Sequence, residues 1–285
     1  MADRWHMVTE PTTAKHFLLA SDFDRTLSFN DSGLVLSEVI GVPGFERKVQ
    51  GLAQSNLVQQ GGELAYLIRH DPEFRGVRRD HLVEAGRRVR LKKDIPALVS
   101  FLERGMDEYR FSFSVISAAP KEIVVSALAG IVAPEQIFGT EFDYDAGSGE
   151  VRAISRVAAG YGKVAVIEEL EEKAGIRPDR TIYVGDGSSD VHVMLHVNNR
   201  DGFTIAVSEN RHLARIAKRI VLSDSAFSIV VPLLDQILGW RPPEIRALFE
   251  SYGLSLREWD RSHTDRVTIR DADLPFGDIA LSPAS

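Results

Sequence analysis

Residues 21–28 read S-D-F-D-R-T-L-S and directly follow the apolar run His16, Phe17, Leu18, Leu19, Ala20. A continuous apolar run of this length predicts a strand buried on both faces, as in a parallel sheet covered by helices. Asp22 and Asp24 then stand at its carboxyl end, where open α/β sheets place their ligands. Like charges ~4 Å apart repel by ~4 kcal/mol at an effective dielectric of ~20. A divalent cation removes that cost, and a hard, all-oxygen ligand set suits magnesium or calcium. Taken alone, the same triplet also fits a turn capped by aspartates.

Three later segments decide between these readings. Residues 111–120, F-S-F-S-V-I-S-A-A-P, predict a second strand that ends in a hydroxyl and small residues, with Pro120 in the first turn of the next helix. Ser117 can bind an oxyanion there, or simply cap the helix. Lys163 follows Gly160 and Gly162 and opens a helix whose apolar positions are Val164, Ile167, Leu170 and Ala174. Such a lysine is ordinarily solvated, but the macrodipole disfavours a cation at a helix start, which points to a role. Residues 181–190, T-I-Y-V-G-D-G-S-S-D, predict a short strand with Asp186 at its end and Asp190 four residues on. The glycines let the backbone approach a ligand.

In this order, with helices between them, S-D-F-D-R-T-L, V-I-S-A-A, G-K-V-A and Y-V-G-D-G-S-S-D resemble the motifs of the haloacid dehalogenase superfamily, and among its members the phosphatases. The resemblance covers about residues 17–240. The second aspartate, Asp24, is similar to the phosphatase form. Arg25 departs from the pattern, since glycine is commonest there, and it sets a large cation beside the site. The resemblance implies a Rossmann-like parallel α/β core with a small helical cap, like that of the phosphoserine phosphatase branch. The core is expected over 1–28 and 92–240, the cap over 29–91, and a helix with a polar tail over 241–285.

The implied activity is magnesium-dependent hydrolysis of a small phosphate monoester, phosphoserine being the nearest suggestion. Asp22 is the expected nucleophile and Asp24 the acid and base. Magnesium is expected on Asp22, Asp186 and the backbone carbonyl of Asp24, with Asp190 holding waters or Lys163 around it. Thr26, Ser117 and Lys163 are expected to bind the phosphoryl group or to orient Asp22. A phosphomutase on the same fold and a non-catalytic phosphate-binding protein are the alternatives. A phosphoacceptor receiver domain fits less well, because its acidic pair lies on a different strand from the acceptor.

Bulk properties narrow the partners. The chain of 285 residues has 44% apolar residues, a formal charge of −7 and no cysteine, which excludes disulfides and thiolate chemistry. An acidic chain is a poor candidate for nucleic acid. The basic residues clustered over 69–93 read mainly as solvated helix faces, with one or two left to attract an anionic substrate. Residues 1–15 are polar and lack an apolar signal core, and the apolar stretch 226–240 is broken by Pro232 and Asp235. A cytoplasmic protein without a membrane span is expected, with 226–240 as a buried helix. Further helices are expected over 46–60, 63–69, 80–90 and 94–104. A strand over 137–144 should be followed by a hairpin partner at 150–156. His192 and His196 have the spacing of a zinc half-site, but no third ligand accompanies them.

Overall fold

The computed structural model describes residues 14–55, 58–208 and 210–254. The polar tail and most of the N-terminal segment discussed above lie outside them. In chain order the elements are β1 (Lys15–Ser21), α1 (Ser32–Ile40), α2 (Phe45–Ser55), α3 (Glu63–His70), α4 (Arg79–Arg88) and α5 (Ile95–Arg104). There follow β2 (Tyr109–Pro120), α6 (Lys121–Ala127), β3 (Ile137–Tyr144), β4 (Val151–Arg156), α7 (Tyr161–Ala174), β5 (Thr181–Gly185) and α8 (Val191–Asn199). The chain continues through β6 (Phe203–Ala206), α9 (Arg211–Ala214), β7 (Arg219–Ile220), α10 (Val230–Gln236) and α11 (Pro242–Ser251).

The strands form one seven-stranded sheet of order β4-β3-β2-β1-β5-β6-β7. All neighbours are parallel except β3 and β4, which pair antiparallel as the expected hairpin. Alternation along the strands divides the core between the two faces. Leu18, Ala20 and Tyr183 pack with Val166, Ile167, Val193 and Met194 of α7 and α8. Leu19, Ile182 and Val184 belong to the larger cluster on the other face, together with α5, α6, α10 and α11. This is the Rossmann-like α/β core that the motifs implied. After β1 the chain builds outward through β2 and β3, then crosses to β5 on the other side of β1. The reversal of winding beside β1 is the crevice where such sheets bind ligands.

Helices α1 to α4 occupy most of 29–91 and are joined to the core by two strands of backbone that run side by side. The Phe29 N–H donates to the Arg90 carbonyl and the Lys92 N–H to that of Leu27, both at 2.8 Å. The helical segment is also tied down further along. α4 lies so close to α6 that a Cβ at Gly86 would come within 2.3 Å of the Ile123 carbonyl oxygen. The Val151 N–H of the β3–β4 hairpin donates to the Val77 carbonyl at 2.9 Å.

Three local expectations change. Pro120 ends β2, opposite Thr140, with an extended ψ of 132°, so it precedes α6 instead of entering its first turn. α2 spans Phe45–Ser55, shorter than the expected 46–60. The stretch 226–240 is a 3-10 turn, Ala226–Ile229, running into α10, whose first turn accepts Pro232 because its N–H would have no intrahelical partner there. Among the described residues no helix is long and apolar enough to cross a membrane.

Candidate active site

The site is assembled at the carboxyl ends of β1, β2 and β5. Asp22 extends the β1–β5 ladder by one rung, its N–H donating to the Val184 carbonyl at 2.8 Å. The chain then closes a tight turn, in which the N–H groups of Thr26, Leu27 and Ser28 all converge on the Phe23 carbonyl. Phe23 is buried, whereas Asp22 and Asp24, on either side of it, line the same cavity. Ser117 at the end of β2 and Asp186 just past β5 line it too.

Lys163 decides the electrostatics. It is the third residue of α7 and is fully buried, so the solvated-surface reading of this lysine fails. Its ammonium donates to Asp22 Oδ1 at 2.7 Å, to Asp190 Oδ1 at 2.6 Å and to the Tyr183 hydroxyl at 3.1 Å. Burial opposes its charge, but the two carboxylates more than compensate and raise its pKa. Asp190 is saturated. Besides Lys163, its Oδ1 accepts from the Tyr183 hydroxyl at 2.7 Å, and its Oδ2 accepts from the Asp186 and Gly187 N–H groups.

The other carboxyl groups of the site are raised above their ordinary values. Burial, reinforced by the Asp190 charge, pushes Asp22 up to about 6, with Lys163 pulling the other way. Asp186 is pushed up to about 8, by burial first and then by Asp22 and Asp190. Asp24 is raised well above the carboxylate range by burial and the nearby charge of Asp31. Its Oδ1 accepts both the N–H (2.9 Å) and the hydroxyl (2.6 Å) of Ser32 at the start of α1, which fixes its direction.

Carboxylate oxygens of Asp22, Asp186 and Asp190 lie within 4.8 Å of one another. Three acidic groups this close, with oxygen donors alone, fit a hard divalent cation such as magnesium. Asp190 spends both oxygens on hydrogen bonds, whereas the Asp186 carboxylate accepts none among the described residues, so Asp22 and Asp186 are the donors left for an ion. His192 and His196 have no part in this cluster; the His196 ring contacts Arg200.

Ser117 is buried, its hydroxyl 3.1 Å from the Ala119 N–H. Thr26 is fully buried, and its hydroxyl has no hydrogen-bond partner and does not line the cavity. Arg25 sits at the rim with φ of 56°. A left-handed backbone costs a residue with a Cβ roughly 1–2 kcal/mol. The cavity, of about 340 Å³, is closed from the helical side by Asp31, Phe45, Val49, Gly61, Glu63 and Leu64. Glu63 is buried, and its carboxylate accepts from the Gly61 N–H at 2.7 Å. The sequence reading passed over Asp31, Ser32, Glu63 and Tyr183. For Tyr183 the signal was available: a hydroxyl within an otherwise apolar strand, seven residues before Asp190.

The model of the haloacid dehalogenase-like hydrolase family matches residues 19–195, well over half of the chain. The chain belongs to that family. Its structure is similar to that of a phosphoserine phosphatase described as a phospho-aspartyl intermediate analogue, at 18% identity and a TM-score of 0.61 over 76% of this chain and 98% of that one. A phosphoserine phosphohydrolase-like protein from Francisella tularensis is 16% identical, with a TM-score of 0.57 over 75% of this chain and 99% of that one. A haloacid dehalogenase family hydrolase from Salmonella enterica serovar Typhi is 14% identical, with a TM-score of 0.57 over 73% and 68%. At these identities the likeness is one of fold. No curated protein sequence matches the chain at a significant level.

Proposed function

We propose that this hydrolase cleaves small phosphate monoesters with magnesium, through an aspartyl-phosphate on Asp22. The observation that carries the reading is the division of labour between two carboxyl groups two residues apart. Asp22 is fixed by the Lys163 ammonium, while Asp24 is turned away to Ser32 and burial raises its pKa well above the carboxylate range, which favours its protonated form.

A carboxylate oxygen of Asp22 attacks phosphorus, and the bond from phosphorus to the ester oxygen breaks. Asp24 gives its proton to the departing alkoxide, which leaves as the alcohol. Water then attacks the same phosphorus while Asp24 takes a proton from it. The bond to Asp22 breaks and inorganic phosphate is released. Ser117 would hold phosphoryl oxygens; Lys163, whose three protons go to Asp22, Asp190 and Tyr183 and which does not line the cavity, would act through its charge, keeping Asp22 ionised for attack and not binding the phosphoryl group directly. Thr26, whose N–H donates to the Phe23 carbonyl, would steady the turn after Asp22. Asp22 and Asp186, with the Asp24 carbonyl, would hold magnesium, which when bound supplies electrostatic stabilisation of the phosphoryl oxygens. Asp190 positions Lys163 and the Asp186 loop. Helices α1 to α4, within 29–91, would act as the cap that selects the leaving group. The cavity beneath them suits a small one, and the phosphoserine phosphatases among the similar structures make phosphoserine the first ester to try.

The test is phosphate release from a panel of small monoesters, before and after exhaustive chelation, by the wild type and Asp22→Asn. Release that stops on chelation, returns with magnesium and is absent in the variant is expected. Full turnover without metal, or by the variant, overturns the reading.

A further inference from the structure

A second cavity, of about 520 Å³, adjoins the first, and Arg25, Asp186, Gly187 and Ser188 line both. Lys92 forms part of its wall and comes from the backbone that returns from the helical segment to the core. Its place is fixed: its N–H is bonded to Leu27, and the next N–H, that of Lys93, donates to the Asp224 carbonyl at 3.2 Å. Its side chain is half-buried, and its ammonium has no hydrogen bond or ion pair among the described residues, although it feels the charges of Asp186 and Asp224. Arg25 makes one long ion pair among the described residues. Its nearest carboxylate, Asp31, is 4.0 Å away, and its backbone is held in the left-handed region that glycine would occupy without strain. Two cations thus line one cavity in which Asp186 is the one carboxylate among the described lining residues.

We propose that Arg25 and Lys92 form a subsite for a second acidic group of the substrate, a carboxylate or a further phosphate, occupied while the phosphoryl group lies at Asp22. The inference rests on the phosphatase reading and narrows it. Esters that carry a second acid are preferred over neutral ones, and the preference is set by residues outside the phosphoryl site. A guanidinium fork and a point charge suit either kind of anion.

The test uses matched pairs with magnesium present: ethyl phosphate against phosphoglycolate, and glycerol 3-phosphate against 3-phosphoglycerate. In the wild type the acidic member of at least one pair should have kcat/KM higher by about tenfold or more, chiefly through KM. Lys92→Met should collapse that ratio, and Lys92→Arg should keep most of it. Arg25→Gly, which suits the left-handed backbone, should lower the ratio independently should the Lys92 variant not fold. Calorimetric titration of phosphoglycolate and ethyl phosphate into magnesium-loaded Asp22→Asn reads the same preference without turnover. If neither ester is hydrolysed, the phosphatase reading fails while the titration still judges the subsite. Equal losses for both members of a pair in Lys92→Met would make the lysine a mere counter-ion of Asp186 and overturn the proposal. So would the absence of any preference in the wild type. A Lys92-dependent effect of free sulfate on aryl phosphate hydrolysis, with no preference among the esters, would assign the cavity to a free anion and overturn it as well.

Discussion

Lys163 holds a full charge out of contact with water, and that sets what can be changed around it. Removing it in Lys163→Met leaves Asp22 and Asp190 buried without their cation. Breaking a buried ion pair from one side costs ~3–5 kcal/mol. Urea unfolding at pH 7 should show a loss of that order, in addition to loss of turnover; an unchanged midpoint would mean that the pair is not formed in solution. Asp24 makes a different prediction, because the role proposed for it is on the leaving group. Asp24→Asn keeps the shape and can still accept from Ser32, but it has no proton to give. The first step should slow far more for an alkyl phosphate than for an aryl phosphate, whose leaving group needs little protonation. Pre-steady-state rates for both esters in wild type and variant decide the matter, and equal slowing would reject the acid role. Asp22, Asp24, Lys163, Asp186 and Asp190 were legible because each ends a strand or opens a helix at a recognisable spacing. What could not be read was which aspartate would be saturated. That depends on Tyr183 and on two backbone N–H groups, which meet Asp190 only once β5 and the turn after it have formed.

At the scale of elements, the strands of the core were readable from their apolar runs, and the hairpin at 137–156 from its turn residues. The helical segment was harder. Amphipathic periodicity gives the existence of α2, α3 and α4 but not their ends, and it carries no information on what each packs against. Gly86 illustrates this. In sequence it is an unfavourable residue in the middle of a helix. In the fold it is what allows α4 to rest against the backbone of α6, with the Ser126 hydroxyl donating to the Val83 carbonyl at 2.7 Å. Helix propensity therefore predicts that Gly86→Ala stabilises, and packing predicts the opposite. Packing should win, because the obstacle is a backbone oxygen that cannot rotate away, and overpacking of this kind costs ~1–3 kcal/mol. Chemical denaturation of Gly86→Ala is the measurement, and a gain in stability would show that α4 is not fixed to the core. The same contact shapes the domain proposal for 29–91. α1 to α3 and the loop at Gly61 cover the site, while α4 behaves as part of the wall beside α6, so a swap of α1 to α3 is a better test of cap specificity than removal of the whole segment.

For the molecule as a whole, the cluster of raised carboxyl groups couples folding to pH and to metal. Asp186 moves from 3.8 to about 8 on folding, and Asp22 from 3.8 to about 6. Both shifts are upward, so the folded state binds more protons than the unfolded state between these values. The linkage relation then makes stability fall as pH rises across that interval. Their contribution is fully present below about 4 and is lost as pH passes through 6 and 8. Magnesium reverses the balance, because it competes with those protons for the same oxygens and binds the folded state. Its stabilisation should accordingly be slight near pH 5 and grow towards pH 8. Thermal unfolding of chelated protein between pH 5 and 8.5, with and without magnesium, tests this. The melting temperature of the metal-free protein should decline across the window, the increment from magnesium should increase, and Asp186→Asn should flatten both trends. A magnesium increment that is the same at pH 5 and pH 8, or a slope that Asp186→Asn leaves untouched, would mean that the ion is held by groups other than Asp22 and Asp186.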